Sequence, residues 1–337
     1  MIPQPSQEFK RYLTKPIPSS LLHQEKNNKI VISLKRQAHK LEVFKQRYSN
    51  AGFALDELTV LEGYDATKPE ECPQPQLTLR QLDDLKRERY DHRFFNKNCG
   101  YGCYLSHAQA WKWIVEKNKP CFIFEDDAAF QVDKKSPALF QKMIDKTLKI
   151  MGTNETQKQN FVLFMGYIEV PGHKRTFEKN RITEEKLGKP FAFKGIMHGL
   201  QGYYVTPGAA RVLLDYAFPI EMQVDSYIGI LADVLDDLNK LTLIAYRKSL
   251  VNQANINDSN IQSKCTLCNG HVNASRFHTQ SMMEKREICR RMGGCPADFN
   301  FGAAVTGAGG KKSSSSIIGI LALAATSLLF LGPGKRK

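Results

Sequence analysis

The chain has 337 residues, of which 42% are hydrophobic and 24% are charged, and its formal net charge is +14. This apolar content excludes a chain that is disordered throughout, and it is sufficient for one large domain or two small ones. Basic residues are interspersed with acidic ones, as in Lys86-Arg87-Glu88-Arg89, so we expect a solvated basic surface that attracts anionic small molecules or a membrane, and no nucleic-acid partner.

The first predicted elements follow a polar, proline-containing segment over residues 1–28. That segment predicts an extended N-terminal arm, and because it lacks an apolar core we expect no signal peptide. Residues 29–34 predict a strand that ends at Leu34. Arg36 lies in the turn after it, and a helix that carries Lys40 is expected to run to Gly52. The two cations are candidate ligands for a phosphate group.

A glycine-rich segment precedes the next predicted helix. Gly100 and Gly102 predict a turn, and Ser106 is expected to cap the helix with Gln109 three residues later, as in a capping box. Glycines permit close approach of a ligand, and a helix N-terminus offers unpaired N–H groups to an anion. We therefore expect this segment to form the entrance of an anion site. His107 is expected either to orient a phosphate or only to cap the helix.

An acidic triplet, Glu125-Asp126-Asp127, follows the apolar residues 120–124 directly. Those residues predict a buried strand, and ligand sites in open α/β sheets lie at the carboxyl edge of such strands. Carboxylate oxygens suit Mg²⁺ or Mn²⁺, which fill their remaining positions with phosphate oxygens. The alternative is an acidic turn that ends the strand and faces water.

The later elements carry a second group of candidates. Residues 202–205 predict a strand, and Pro207 favours a helix start after it. His198 lies before this strand and is expected to contact an acceptor or to lie in the core. Asp225 precedes a predicted helix over residues 226–238, so it is a site carboxylate, an N-cap, or both.

Residues 100–127 resemble the central signature of the family 25 glycosyltransferases: glycine, cysteine, serine-histidine, a tryptophan-bearing helix, a hydrophobic strand and Glu-Asp-Asp. The likeness extends over about residues 29–262. It implies an α/β, GT-A-like fold with a mixed, mainly parallel central sheet. It also implies a metal-dependent, inverting transfer of galactose or glucose from a UDP-sugar to a hydroxyl group of a glycan or glycoprotein acceptor. Ser33 and Lys40 depart from the family pattern, which usually has asparagine and arginine there.

Roles in such a reaction can be assigned to the candidates. Asp127 and Asp126 are expected to hold Mn²⁺ or Mg²⁺ as a Lewis acid for the leaving diphosphate. Asp225 is the first candidate for the base, with Glu125 as the second, and His107 is a further catalytic candidate. The expected donor contacts are Leu34, Arg36, Lys40, Gly100, Gly102, Ser106, Glu125 and Asp126. The expected acceptor contacts are His198, Gln201 and Asp225.

The C-terminal region has a different composition. Residues 263–298 contain Cys265, Cys268, Cys289 and Cys295, which would bind structural Zn²⁺ or exist as thiols or disulfides. Residues 299–316 predict a flexible linker. Residues 317–332 are uninterrupted by charge and have basic flanks, which predicts a C-terminal membrane anchor with the catalytic domain on the cytosolic side. The alternative function is a non-catalytic, membrane-tethered binding module built on a transferase fold.

Overall fold

The computed structural model describes residues 28–68, 98–131, 134–167, 188–192, 198–220, 222–236 and 240–254. Within these ranges the chain forms nine strands and six α-helices, and short 3-10 turns at Lys35–Gln37 and Leu55–Glu57 precede α1 and β2. The order is β1 (Lys29–Ser33), α1 (Ala38–Asn50), β2 (Leu58–Glu62), α2 (Asn98–Lys117), β3 (Cys121–Glu125), β4 (Ala128–Phe130), α3 (Ser136–Ile150), α4 (Glu155–Gln159), β5 (Phe161–Phe164), β6 (Pro190–Ala192), β7 (Gly202–Val205), α5 (Pro207–Asp215), α6 (Val224–Asp236), β8 (Thr242–Tyr246) and β9 (Val251–Gln253).

Seven of these strands form one mixed sheet in the order β2-β1-β3-β7-β5-β8-β6, and β4 pairs with β9 in a separate two-stranded sheet. The pairs β1–β2, β1–β3 and β5–β8 are parallel, whereas β3–β7, β5–β7 and β6–β8 are antiparallel. The mixed α/β architecture predicted from the sequence is thereby confirmed. Because β7 runs opposite to β3, the start of β7 lies at the same edge as the ends of β1 and β3.

The central strands are continuous apolar runs because helices cover both of their faces. Phe122 and Phe124 of β3 point to one face and pack with Phe44 of α1 and Phe140 of α3. On the opposite face, Tyr203 of β7 contacts α2. Alternate residues of each strand therefore supply two separate hydrophobic layers. This packing holds the strand ends, where the polar candidates lie, in fixed relative positions.

Helix α2 begins eight residues earlier than the sequence predicted. It starts at Asn98, so Gly100 and Gly102 lie inside the helix and Ser106 is not its N-cap. A Cβ atom on Gly102 would lie 2.6 Å from the carbonyl oxygen of Tyr64. The glycine therefore allows helix α2 to pack against the segment after β2. The close approach that the sequence analysis expected of a ligand is made here by the Tyr64 backbone.

A second glycine brings β9 against the main sheet. A Cβ atom on Gly166 would overlap the carbonyl oxygen of Val251, and the Met165 carbonyl accepts hydrogen bonds from the N–H groups of Leu250 (2.7 Å) and Val251 (3.1 Å). Only a residue without a side chain fits between these backbones. The contact places β9, including Gln253, beside the acidic triplet.

Several predictions are settled by these elements. The strands at residues 29–33, 121–125 and 202–205 are confirmed, as is the helix start at Pro207. Helix α6 begins at Val224, so Asp225 lies inside the first turn of the helix and does not precede it.

The arm over residues 1–27, the cysteine-containing segment, the linker and the anchor lie outside the described residues and stay predictions. In the part of the chain that the structure covers, no helix is both long and apolar enough to cross a membrane.

We expect the substitution Gly166→Ala to lower the free energy of unfolding by about 2 kcal/mol or more, because the added methyl group meets backbone that cannot rotate away. Urea unfolding followed by circular dichroism measures this change. The control Gln141→Ala, at an exposed position of α3, is expected to change stability by less than about 0.5 kcal/mol. Equal stability of the two variants would contradict the close contact at Gly166.

Candidate active site

A cleft of about 750 Å³, counted to its open mouth, lies at the edge of the sheet where β1 and β3 end. Eight residues that the sequence analysis selected line it: Leu34, Arg36, Lys40, Ser106, His107, Glu125, Asp126 and Asp127. The residues Gly100, Gly102, His198, Gln201 and Asp225 are not among the described residues that line the cleft.

The acidic triplet is not a solvated turn, because two of its carboxylates are held by side chains from distant segments. The hydroxyl of Ser33 donates to Asp126 Oδ2 at 2.7 Å, and the Gln253 amide donates to Asp127 Oδ2 at 2.8 Å. The other oxygen of Asp127, Oδ1, is buried and has no hydrogen-bond partner within the described part of the chain. A buried carboxylate oxygen without a partner is costly, so this atom indicates a site for a positive ligand.

The charges of the triplet are not balanced locally. Burial, followed by repulsion from Glu125, raises the pKa of Asp127 to about 7, although the hydrogen bond from Gln253 opposes the shift. Burial also raises the pKa of Asp126, against the opposing effects of Ser33 and Lys40. A divalent cation would offset this crowding, and the donor set of carboxylate oxygens fits Mn²⁺ or Mg²⁺. Asp127 and Asp126 are the residues that would hold it.

Two cationic side chains also line the cleft. Arg36 Nε donates to Asp65 Oδ2 at 2.6 Å, which fixes the direction of the guanidinium group. Burial opposes ionisation of Asp65, but hydrogen bonds from Thr67 and Arg36 outweigh it and lower the pKa of Asp65. Lys40 also lines the cleft, and its charge acts on both Asp126 and Asp127. A diphosphate with a bound cation would match this combination of cationic and acidic side chains.

A chain of hydrogen bonds leads from the core to Glu125. The indole N–H of Trp111 donates to the Tyr203 hydroxyl oxygen at 3.0 Å, that hydroxyl lies 2.8 Å from His107 Nδ1, and His107 Nε2 lies 3.2 Å from Glu125 Oε1. Burial raises the pKa of Tyr203 well above its ordinary value, so the hydroxyl keeps its proton. In the tautomer that satisfies both histidine contacts, Nε2–H donates to the Glu125 carboxylate and Nδ1 accepts from the Tyr203 hydroxyl, whose oxygen accepts from Trp111.

His107 is therefore buried with both ring nitrogens engaged, and it does not cap a helix. Ser106 has a structural contact in addition to its place in the cleft wall. Its hydroxyl donates to the Gly102 carbonyl at 2.7 Å and accepts from the Tyr64 N–H at 2.8 Å. These bonds attach helix α2 to the segment that carries Asp65.

Two acceptor-side candidates, His198 and Gln201, lie in the segment before β7, and the third, Asp225, lies in the first turn of α6. The backbone N–H of Glu125 donates to the Gln201 carbonyl at 3.3 Å, and the Gly199 N–H donates to Asp225 Oδ2 at 3.1 Å. The same Asp225 oxygen lies 3.5 Å from His198 Nδ1, and its Oδ1 accepts from the Ser226 N–H at 2.7 Å. Burial opposes the charge on Asp225, but His198 and the two backbone donors outweigh it and lower the pKa of Asp225.

Sequence reasoning missed several residues of the site, and Gln253, Asp65 and Tyr203 are examples. Gln253 is 126 positions from Asp127, and no spacing rule predicts a contact over that separation. Asp65 and Tyr203 lie in segments that resemble the family, but a hydrogen-bonding side chain in an apolar or turn segment has no signature of its own. Only the fold identifies their partners.

The raised pKa of Asp127 predicts a specific pH dependence of stability in the metal-free protein. Between about pH 4 and pH 7 the folded state holds a proton that the unfolded state has released, so the stability contributed by this group falls as pH rises. From about pH 5 to pH 7.5, we expect the wild-type protein to lose on the order of 1–3 kcal/mol relative to Asp127→Asn.

Chemical unfolding in the presence of a chelator measures this difference. The exposed Asp145 provides the control, because Asp145→Asn is expected to follow the wild-type curve. A wild-type-to-Asp127→Asn difference that stays constant over the window would show that Asp127 titrates normally.

The family comparison agrees with this geometry. The model of glycosyltransferase family 25, described as LPS biosynthesis protein, matches residues 26–228, which is more than half of the chain and includes the cleft residues from Leu34 to Asp127. No curated protein matches the chain. On the extent of the family match, the chain belongs to glycosyltransferase family 25.

Proposed function

We propose that this glycosyltransferase moves a hexose, galactose or glucose, from a UDP-sugar to a hydroxyl group of a glycan or glycoprotein acceptor, with inversion at the anomeric carbon and with Mn²⁺ or Mg²⁺. The proposal is carried by the buried Oδ1 of Asp127, which has no hydrogen-bond partner among the described residues, in a cleft that Arg36 and Lys40 also line. An activated sugar with a diphosphate leaving group is the substrate that matches both features.

The cation site and the cationic side chains have distinct roles in this proposal. A cation held by Asp127 and Asp126 would supply positive charge to the leaving diphosphate. Arg36 is already oriented by Asp65, so its guanidinium needs little reorganisation to meet a phosphate oxygen. Lys40 adds a point charge without the bidentate geometry of an arginine, which favours looser contact with the donor.

The acceptor is proposed to bind on the β7 side of Glu125. The donor candidates Leu34, Arg36 and Lys40 follow β1, and Glu125 ends β3. The acceptor candidates His198 and Gln201 lie before β7, so in the strand order β1-β3-β7 Glu125 lies between these two groups. Glu125 lines the cleft with one oxygen held by His107, which favours it as the base that removes the acceptor proton. Asp225 is ionised but weakly basic, because its two oxygens accept hydrogen bonds from backbone N–H groups.

The proposal is tested by UDP release from UDP-galactose and UDP-glucose with Mn²⁺, and by nuclear magnetic resonance of the sugar product. We expect turnover that a chelator abolishes and a β-configured product from the α-linked donor. Asp127→Asn is expected to lower the rate at least about 100-fold, because a ligand for the cation is lost. The matched control Asp145→Asn replaces an exposed aspartate outside the cleft and is expected to retain the wild-type rate.

Two other outcomes would redirect the assignment. Turnover that is unaffected by chelator and by Asp127→Asn would contradict the metal dependence. If neither donor is turned over but both raise the melting temperature equally in wild type and Asp127→Asn, the non-catalytic binding module is the better description.

The base is tested by comparing Glu125→Gln with Asp225→Asn. We expect Glu125→Gln to lower kcat by about 10²–10⁴-fold with little change in donor KM, because removal of a general base acts on the transition state. Asp225→Asn is expected to cost less than about 10-fold in kcat if its role is to hold His198 and Gly199. The reverse order of the two losses would assign the base to Asp225.

A further inference from the structure

We propose that the cleft contains a second metal site, formed by Cys103, His107 and Glu125, which selects thiophilic divalent ions such as Zn²⁺ and inhibits the enzyme when it is filled. The inhibitory part rests on the proposed function, because it involves Glu125. Binding of the metal itself does not depend on that function.

The three side chains converge because of helical spacing and strand order. Cys103 and His107 are four residues apart on α2 and therefore lie on the same face, one turn from each other. Glu125 ends β3 opposite that face. One ligand atom from each residue lies within 4.8 Å of the other two, and all three residues line the cleft.

The distance between the His107 and Glu125 ligand atoms is close to that expected around a bound zinc ion. Bonds of about 2.3 Å to sulfur and 2.0–2.2 Å to nitrogen and oxygen put tetrahedral ligand atoms about 3.3–3.7 Å apart. His107 Nε2 and Glu125 Oε1 already lie 3.2 Å apart. Side-chain rotation of Cys103, which is only partly buried, can bring its sulfur into the same range. The fourth position faces the cleft, where water or a phosphate oxygen would complete the tetrahedron.

The donor set separates this site from that of Asp126 and Asp127. Thiolate and imidazole ligands favour Zn²⁺ and Cd²⁺, whereas Mn²⁺ and Mg²⁺ prefer carboxylates. The charges also balance, because one thiolate and one carboxylate neutralise a divalent ion. We therefore expect excess Mn²⁺ to compete poorly with Zn²⁺ or Cd²⁺ for the site formed by Cys103, His107 and Glu125.

The surrounding hydrogen bonds support coordination by His107. A metal-bound histidine uses one ring nitrogen as the ligand and donates from the other to a fixed partner. Nδ1 lies 2.8 Å from the Tyr203 hydroxyl, which Trp111 holds in place. When the ion binds, the ring proton moves from Nε2 to Nδ1 and is donated to the Tyr203 oxygen, so the Tyr203 hydroxyl proton turns away from Nδ1. The Cys103 thiol releases its proton to solvent, and the Nε2 hydrogen bond to Glu125 is replaced by two bonds to the metal.

Metal binding is tested first without any substrate. Cd²⁺ is added to the full chain, and the ultraviolet band of thiolate-to-metal charge transfer is recorded for wild type, Cys103→Ser and Cys103→Ala. Any contribution of the C-terminal cysteines to the band is common to all these proteins, so the informative quantity is the difference between them. We expect both variants to lose the intensity of one thiolate. Cys121→Ala, which removes a core cysteine outside the cleft, is expected to keep the wild-type band.

Inhibition is tested separately by adding Zn²⁺ to the UDP-release assay at saturating Mn²⁺. Each protein is compared with its own rate without Zn²⁺, and we expect Cys103→Ala to need at least about 10-fold more Zn²⁺ for half inhibition. An unchanged Cd²⁺ band in a folded Cys103→Ser or Cys103→Ala protein would overturn the site. A Cys103-dependent band with equal Zn²⁺ sensitivity of wild type and Cys103→Ala would overturn the inhibitory role. Absence of all turnover would contradict the proposed function and leave the spectroscopic result intact.

Discussion

The active site depends on one buried carboxylate oxygen, Asp127 Oδ1, that receives no hydrogen bond from any residue the structure describes. The other oxygen of the same carboxylate, Oδ2, accepts a hydrogen bond from Gln253, which β9 holds beside the triplet. Strand β9 can lie there because Gly166 leaves room for the Val251 backbone. The packing of β9 against the main sheet therefore influences the charge state of Asp127. A fold that keeps negative charge in a partly buried cleft is stabilised by a positive ligand.

The same edge of the sheet organises three groups of side chains. Arg36 and Lys40 follow β1, the acidic triplet follows β3, and the His198–Asp225 pair lies beside the start of β7. The hydrogen-bond chain through Tyr203 and His107 fixes Glu125, at the end of β3, between the cations that follow β1 and the segment before β7. Because these contacts are built on strand ends and on a long helix, the site is preorganised.

Much of this arrangement could be predicted from the sequence, for identifiable reasons. The strand before Glu125 is a continuous apolar run, and acidic residues after such a run are expected at a sheet edge. The start of α2 could not be predicted, because Gly100 and Gly102 favour a turn in isolation. In the fold, Gly102 lies within helix α2, and glycine is needed there because the Tyr64 backbone leaves no room for a side chain. The contact of Gln253 with Asp127 depends on the complete topology and has no local pattern.

The central claim is that Asp127 binds a cation that also contacts the diphosphate of the donor. Electron paramagnetic resonance of Mn²⁺, titrated with the full-length protein in the presence and absence of UDP, tests it most directly. The account predicts a bound Mn²⁺ whose affinity increases when UDP is present and which Asp127→Asn abolishes. A UDP effect of the same size in Asp127→Asn, or no UDP effect in the wild-type protein, would contradict it.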